Sequence, residues 1–111
     1  MLNYATGRTD ADLAWALSIV VEAGRWLTYA LLPFDGLLLH TAGQTAFAMD
    51  GPEPHYHADF ATMANMSGVP AISLPLPVMA DALLIGLQLI GHRGHDVALL
   101  DAAQHIEAAL R

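Results

Sequence analysis

The chain has 111 residues, enough for a single domain spanning 1–111. Its 11 acidic groups face only four Arg and no Lys, giving a net charge of −7 that argues against nucleic acid and anionic membrane as partners. Hydrophobic residues make up 55% and charged residues 14%, against about 25% charged in typical soluble domains, so a large apolar face is expected to lie against a second copy or the rest of a larger protein.

There is no Cys, which removes disulfides and thiolate chemistry and fits a cytoplasmic location. Met1 to Arg8 has neither the charged start nor the apolar core of a signal peptide. Thr9-Asp10-Ala11-Asp12 reads as a helix start, with Thr9 as cap and two acids at the positive end of the helix dipole. The helical pattern then runs to Leu32 and stops at Pro33. Its polar stripe is narrow, through Ser18, Glu22, Arg25 and Thr28 or Tyr29, and Glu22 is spaced to pair with Arg25. Those two charges would be costly in mid-bilayer, so a helix buried in a larger α/β core is expected rather than a membrane span. Trp15 and Trp26, about three turns apart, fall on nearly one face and read as core or interface anchors.

Phe34-Asp35-Gly36 is a turn, and Leu37-Leu38-Leu39 a short apolar strand. From His40 to Ala58 the chain is loop-like, and long loops of this kind are often functional or partner-facing. Asp59 is placed to cap a short helix through Met66, with Gly68 as its stop and Pro70 beyond. Ala71 to Leu74 is a strand closed by Pro75 and Pro77. Leu83 to Ile90 is another, apolar on both faces and therefore expected to be central. An amphipathic helix from about His95 to Leu110 turns Leu99, Ala103, Ile106 and Leu110 to one side. The expected fold is α/β: a long N-terminal helix, a small mixed sheet of about three strands with a C-terminal hairpin, the first helix packed across it, and a C-terminal amphipathic helix.

Asn65-Met66-Ser67-Gly68-Val69-Pro70-Ala71-Ile72-Ser73-Leu74-Pro75, followed by Ile85-Gly86-Leu87-Gln88-Leu89-Ile90-Gly91, resembles the C-terminal part of amidase-signature enzymes. Those read Asn-Leu-Thr-Gly-Leu-Pro-Ala-Ile-Ser-Val-Pro, then Gly-Leu-Gln-Leu-Ile-Gly, then a final amphipathic helix. Phe34-Asp35-Gly36-Leu37-Leu38-Leu39 and the long first helix also fall where that family has such elements, so the resemblance covers nearly the whole chain. It implies a place within a larger mixed-sheet fold and the hydrolysis of a carboxamide by a Lys, a bridging Ser and a nucleophilic Ser, all upstream of this part. Here there is no Lys, and Ser18, Ser67 and Ser73 are the three serines, none in a Gly-Ser-rich stretch. A serine without an adjacent base is a weak nucleophile. No catalytic residue is carried over, and the isolated chain is expected to be inactive. Two family features depart: His40-Thr41-Ala42 replaces a Thr-Pro pair, and Asp81-Ala82-Leu83-Leu84 replaces the Asp-Gly-Leu-Pro of the hairpin, so a longer or different turn is expected.

Of the remaining polar groups, Gln88 is expected to tie its strand to neighbouring backbone, Gly86 to admit another backbone closely, and Ser73 to be a plain strand residue. His55 and His57 would share one side of an extended segment, and with His92 and His95 they could in principle meet at zinc. That spacing without Cys is nonspecific, and solvated loop histidines are the ordinary case, so no metal or cofactor is assigned. Two roles stay open: the C-terminal portion of an amidase-like hydrolase that needs a catalytic portion in trans, or a non-enzymatic oligomerising or interaction module derived from one.

Overall fold

The computed structural model describes residues 6–77 and 82–111. The first helix, α1 (Asp10–Leu31), opens on a capping box. The Thr9 hydroxyl accepts from the Asp12 amide at 3.2 Å, and the Asp12 carboxylate accepts from the Thr9 amide at 2.8 Å. Next come strand β1 (Leu37–His40), helix α2 (Asp59–Ser67), strands β2 (Ala71–Pro75) and β3 (Gly86–Ile90), and helix α3 (Asp96–Leu110). Among the described residues no helix is long and apolar enough to cross a membrane.

The strand order is β1-β3-β2. The strand expected to be central is therefore central, though its ladder starts at Gly86 rather than Leu83. In register, Leu37, Ile90 and Ala71 form one row, and Leu39, Gln88 and Ser73 another two residues along. Both pairings are antiparallel, not mixed as expected. The reason is topological: β3 lies between β1 and β2 and runs against both, so the two strands that run the same way never touch. The hairpin turn expected around Asp81 lies partly outside the described residues; Leu76 N–H donates to the Ile85 carbonyl at 2.9 Å just beyond the strands.

Because side chains alternate along a strand, β3 feeds two cores. Ile90, wholly buried, packs with Leu31, Ala64 and Val69 on one face; Leu89 packs with Leu74, Leu99 and Ala103 on the other. The α3 face is thus the predicted one. The other face departs from expectation, because α1 is not laid across the sheet. It crosses α2, and only its last turns, through Leu27 and Leu31, reach Ile90. Gly24 permits this crossing, since a Cβ there would stand 3.3 Å from the Met66 carbonyl oxygen. Two local expectations are also corrected. Asp59 does not cap α2, whose N-cap is Ala58 without a side-chain bond; Asp59 lies in the first turn, where its charge still meets the dipole. No ion pair joins Glu22 to Arg25. Gly68 does stop α2, in the left-handed conformation at φ 61°.

The molecule is a slab of 50 × 41 × 18 Å with a radius of gyration of 16.7 Å, against about 13 Å for a compact domain of this length. Its accessible surface is 8667 Å², where a compact monomer of this mass shows about 5,900 Å². Much exposed apolar surface lies on α1, where Leu13, Trp15, Leu17, Val21, Trp26 and Tyr29 are all more than half exposed.

Candidate functional site

Polar groups gather on the α2 side of the sheet, at the end of β3 where Gly86 leaves space. The Thr41 and Ser73 hydroxyls hydrogen-bond to each other at 2.5 Å. A Cβ on Gly86 would stand 2.5 Å from the Thr41 oxygen and 2.7 Å from that of Ser73, so only glycine allows the pair to meet. The close approach expected at Gly86 is real, but side chains and not a backbone make it. Further along this face, Gln88 is 4% exposed and its Nε2–H donates to the Phe60 carbonyl at 3.2 Å. Gln88 is therefore the expected tie, joining β3 to α2.

This row holds hydroxyls and an amide but no base. Thr41 is the hydrogen-bond partner found for Ser73, and a threonine hydroxyl cannot take its proton at neutral pH. Chemically the row can position and hydrogen-bond; it cannot generate an alkoxide. Ser18 and Ser67 are occupied by helix carbonyls, of Trp15 at 2.7 Å and of Met63 at 2.8 Å.

The histidines do not converge. His55 to Ala58 is turn rather than extended chain, so His55 and His57 do not share a strand face. His57 bonds the Pro54 carbonyl through Nδ1 at 3.0 Å, sits 3.4 Å from the Glu53 carboxylate, and packs on Phe47. His92 donates from Nε2 to the Phe34 carbonyl at 2.7 Å, pinning the start of α3 to the turn before β1, with the His95 ring 5.8 Å away. Among the described residues no three His, Cys, Asp or Glu groups could hold a metal ion.

Two features are not anticipated by the sequence. The Thr41–Ser73 bond links residues 32 apart, and no local pattern signals it. Arg93 reaches back from the β3–α3 turn and donates to the Ser67 carbonyl at 2.5 Å, over the end of α2. It joins Arg25 in lining a cleft against α1. Trp15 and Trp26 are 69% and 67% exposed, so neither is core in this chain.

Buried Gln88 on the central strand, with Gly86 before it and the amphipathic α3 after it, falls in the segments whose sequence resembles the C-terminal part of the amidase-signature family. The chain corresponds to a C-terminal segment of that family. It is 36% identical over 108 residues to the A subunit of glutamyl-tRNA(Gln) amidotransferase from Synechococcus sp. (strain CC9311), covering 93% of this chain and 22% of that protein. Against the same protein of Prochlorococcus marinus (strain NATL2A) it is 42% identical over 110 residues, covering 95% and 23%. The crystal structure of the counterpart from Thermotoga maritima superposes with a TM-score of 0.70 at 30% identity, over 78% of this chain and 20% of that one. The chain thus spans about a fifth of the length of the relatives it matches. No family model matches it.

Proposed function

We propose that these residues form the C-terminal closing portion of an amidase-like carboxamide hydrolase and supply no catalytic group themselves. The Lys and Ser pair of the family would come from the part of the fold that the relatives have and these residues do not span. One observation carries the reading: the excess of surface. The accessible area of 8667 Å² exceeds that of a compact monomer of this mass by more than 2,000 Å². A standard interface removes only about 800 Å² from each partner. The cover that fits is the bulk of a larger fold, not one modest patch. Within that fold the segment would hold the sheet and its pocket wall in place while C–N bond cleavage proceeds elsewhere. The name carried by the relatives suggests that the amide chemistry serves an amidotransferase. The low Arg count argues that any RNA contact falls outside these residues. A cytoplasmic location belongs to the same proposal.

The second reading, a homo-oligomerising module, is favoured by Trp15 and Trp26, which are exposed together on one helix face. One experiment separates the two. The chain is expressed alone and together with a relative truncated before its own last fifth, and both preparations are assayed on simple aliphatic and aryl amides. The first reading expects no turnover from the chain alone, with a stable complex and restored activity on co-expression. Turnover by the chain alone would overturn it. A well-folded homo-oligomer that ignores the truncated relative would establish the second.

A further inference from the structure

We propose that, independently of any amidase role, the cleft between α1 and the corner formed by Ser67 and Arg93 binds a small oxyanion, a carboxylate or phosphate group, between two guanidinium groups. The cleft encloses about 540 Å³ and is lined by Arg25 from α1 and Arg93 from the β3–α3 turn. These are two of four arginines in a chain with 11 acidic groups. Yet among the described residues neither meets a carboxylate within ion-pair distance, whereas Arg111 pairs with Glu107 at 3.0 Å. No acidic residue lines the cleft.

The ordinary role of Arg93, closing the end of α2, uses one of its donors, on the Ser67 carbonyl. A guanidinium has five. The rest of the Arg93 fork and the whole of Arg25 are unspoken for among the described residues, so both can offer donors to an anion in the cleft they share. Planar forks suit carboxylate and phosphate oxygens, which they hold through paired hydrogen bonds. Tyr29, Val21, Leu32 and Met66 also line the cleft and supply apolar wall, which suits an oxyanion carried on an apolar body.

The test is titration of the ¹⁵N-labelled chain at low ionic strength with inorganic phosphate, with benzoate, and with neutral benzamide as control. Arginine side-chain Nε–H resonances are followed in the wild type, Arg25→Gln and Arg93→Gln. Saturable shifts with an oxyanion at millimolar concentration, none with benzamide, and about tenfold weaker binding in Arg25→Gln are expected. Benzoate binding more tightly than phosphate would identify an organic carboxylate as the ligand, and the reverse order a phosphate. Arg25 is exposed and forms no ion pair among the described residues, so its variant should fold and decides the matter even if Arg93→Gln does not. No saturable response up to about 10 mM, or a response that Arg25→Gln leaves unchanged, would overturn the proposal.

Discussion

Gly86→Ala tests the polar row directly. The added methyl would begin 2.5 Å from the Thr41 hydroxyl, 2.7 Å from that of Ser73 and 2.9 Å from the Thr41 Cβ. The two hydroxyls are end groups and can rotate aside, at the loss of one hydrogen bond, about 1 kcal/mol. The Thr41 Cβ cannot, because its own backbone N–H is held by the Gly86 carbonyl at 2.8 Å. The strand end must therefore shift, and overpacking of this kind costs about 1–3 kcal/mol. Together these give about 2–4 kcal/mol, or roughly 10–20 °C in melting temperature for a domain of this size. The assay is thermal melting by circular dichroism, on the chain in whichever soluble assembly it forms. Ser73→Ala removes the hydrogen bond alone and should cost no more than about 1 kcal/mol. Because the two changes share that bond, the double variant should lose less than the sum of the singles. A Gly86→Ala protein melting within a degree or two of wild type, or strict additivity, would refute the reasoning.

Ile90→Ala, at the one large side chain among the described residues with no exposed surface, should cost about 2–5 kcal/mol in a denaturant titration. Leu38→Ala, on a half-exposed edge position, should cost about 1 kcal/mol or less. The Asp12 carboxyl is held below its usual range, first by the Thr9 backbone bond and then by the Thr9 hydroxyl. A depressed carboxyl pKa stabilises the folded helix above the unfolded value, and that contribution is lost as pH falls through the folded one. The helical signal of α1 should therefore weaken as pH drops below about 4, and Asp12→Asn should flatten that dependence.

What the sequence made legible was local or periodic. The α1 start was readable because a Thr cap followed by two acids, Asp10 and Asp12, is a local signal; that Asp12 also closes a capping box is seen in the structure. The central place of β3 was readable because Leu87, Leu89 and Ile90 put apolar groups on both faces. The position of α1 was not, since its apolar residues surround it and no stripe says which side faces the sheet. What settles the matter is Gly24, whose missing side chain admits α2. Gln88 could be read as a backbone tie because a lone amide in an apolar strand must find a partner, but its partner, Phe60, is 28 residues away. The pairing of Thr41 with Ser73 and the reach of Arg93 to Ser67 depend on strand register and a turn, which no spacing in the chain encodes.

The sheet imposes a further constraint on what covers the exposed surface, one that a single dimer patch does not meet. With the order β1-β3-β2, both β1 and β2 are edges among the described residues, and each carries backbone groups unpaired on its outer side. Natural edges are guarded by charge, by proline or by a bulge. β2 ends on Pro75, but Leu37-Leu38-Leu39 carries no guard, and Leu38 is about half exposed. The outer half of α1 is bare as well, held by its own cap and helix bonds, with Leu13, Trp15 and Leu17 open. An isologous interface uses one patch twice. It can pair one edge, or bury the α1 face, but the α1 face lies beyond α2 while the two edges lie on opposite sides of β3. Covering all three takes neighbours on three sides. A surrounding fold provides those together, and that weighs for a segment embedded in a larger sheet over a module that closes on itself.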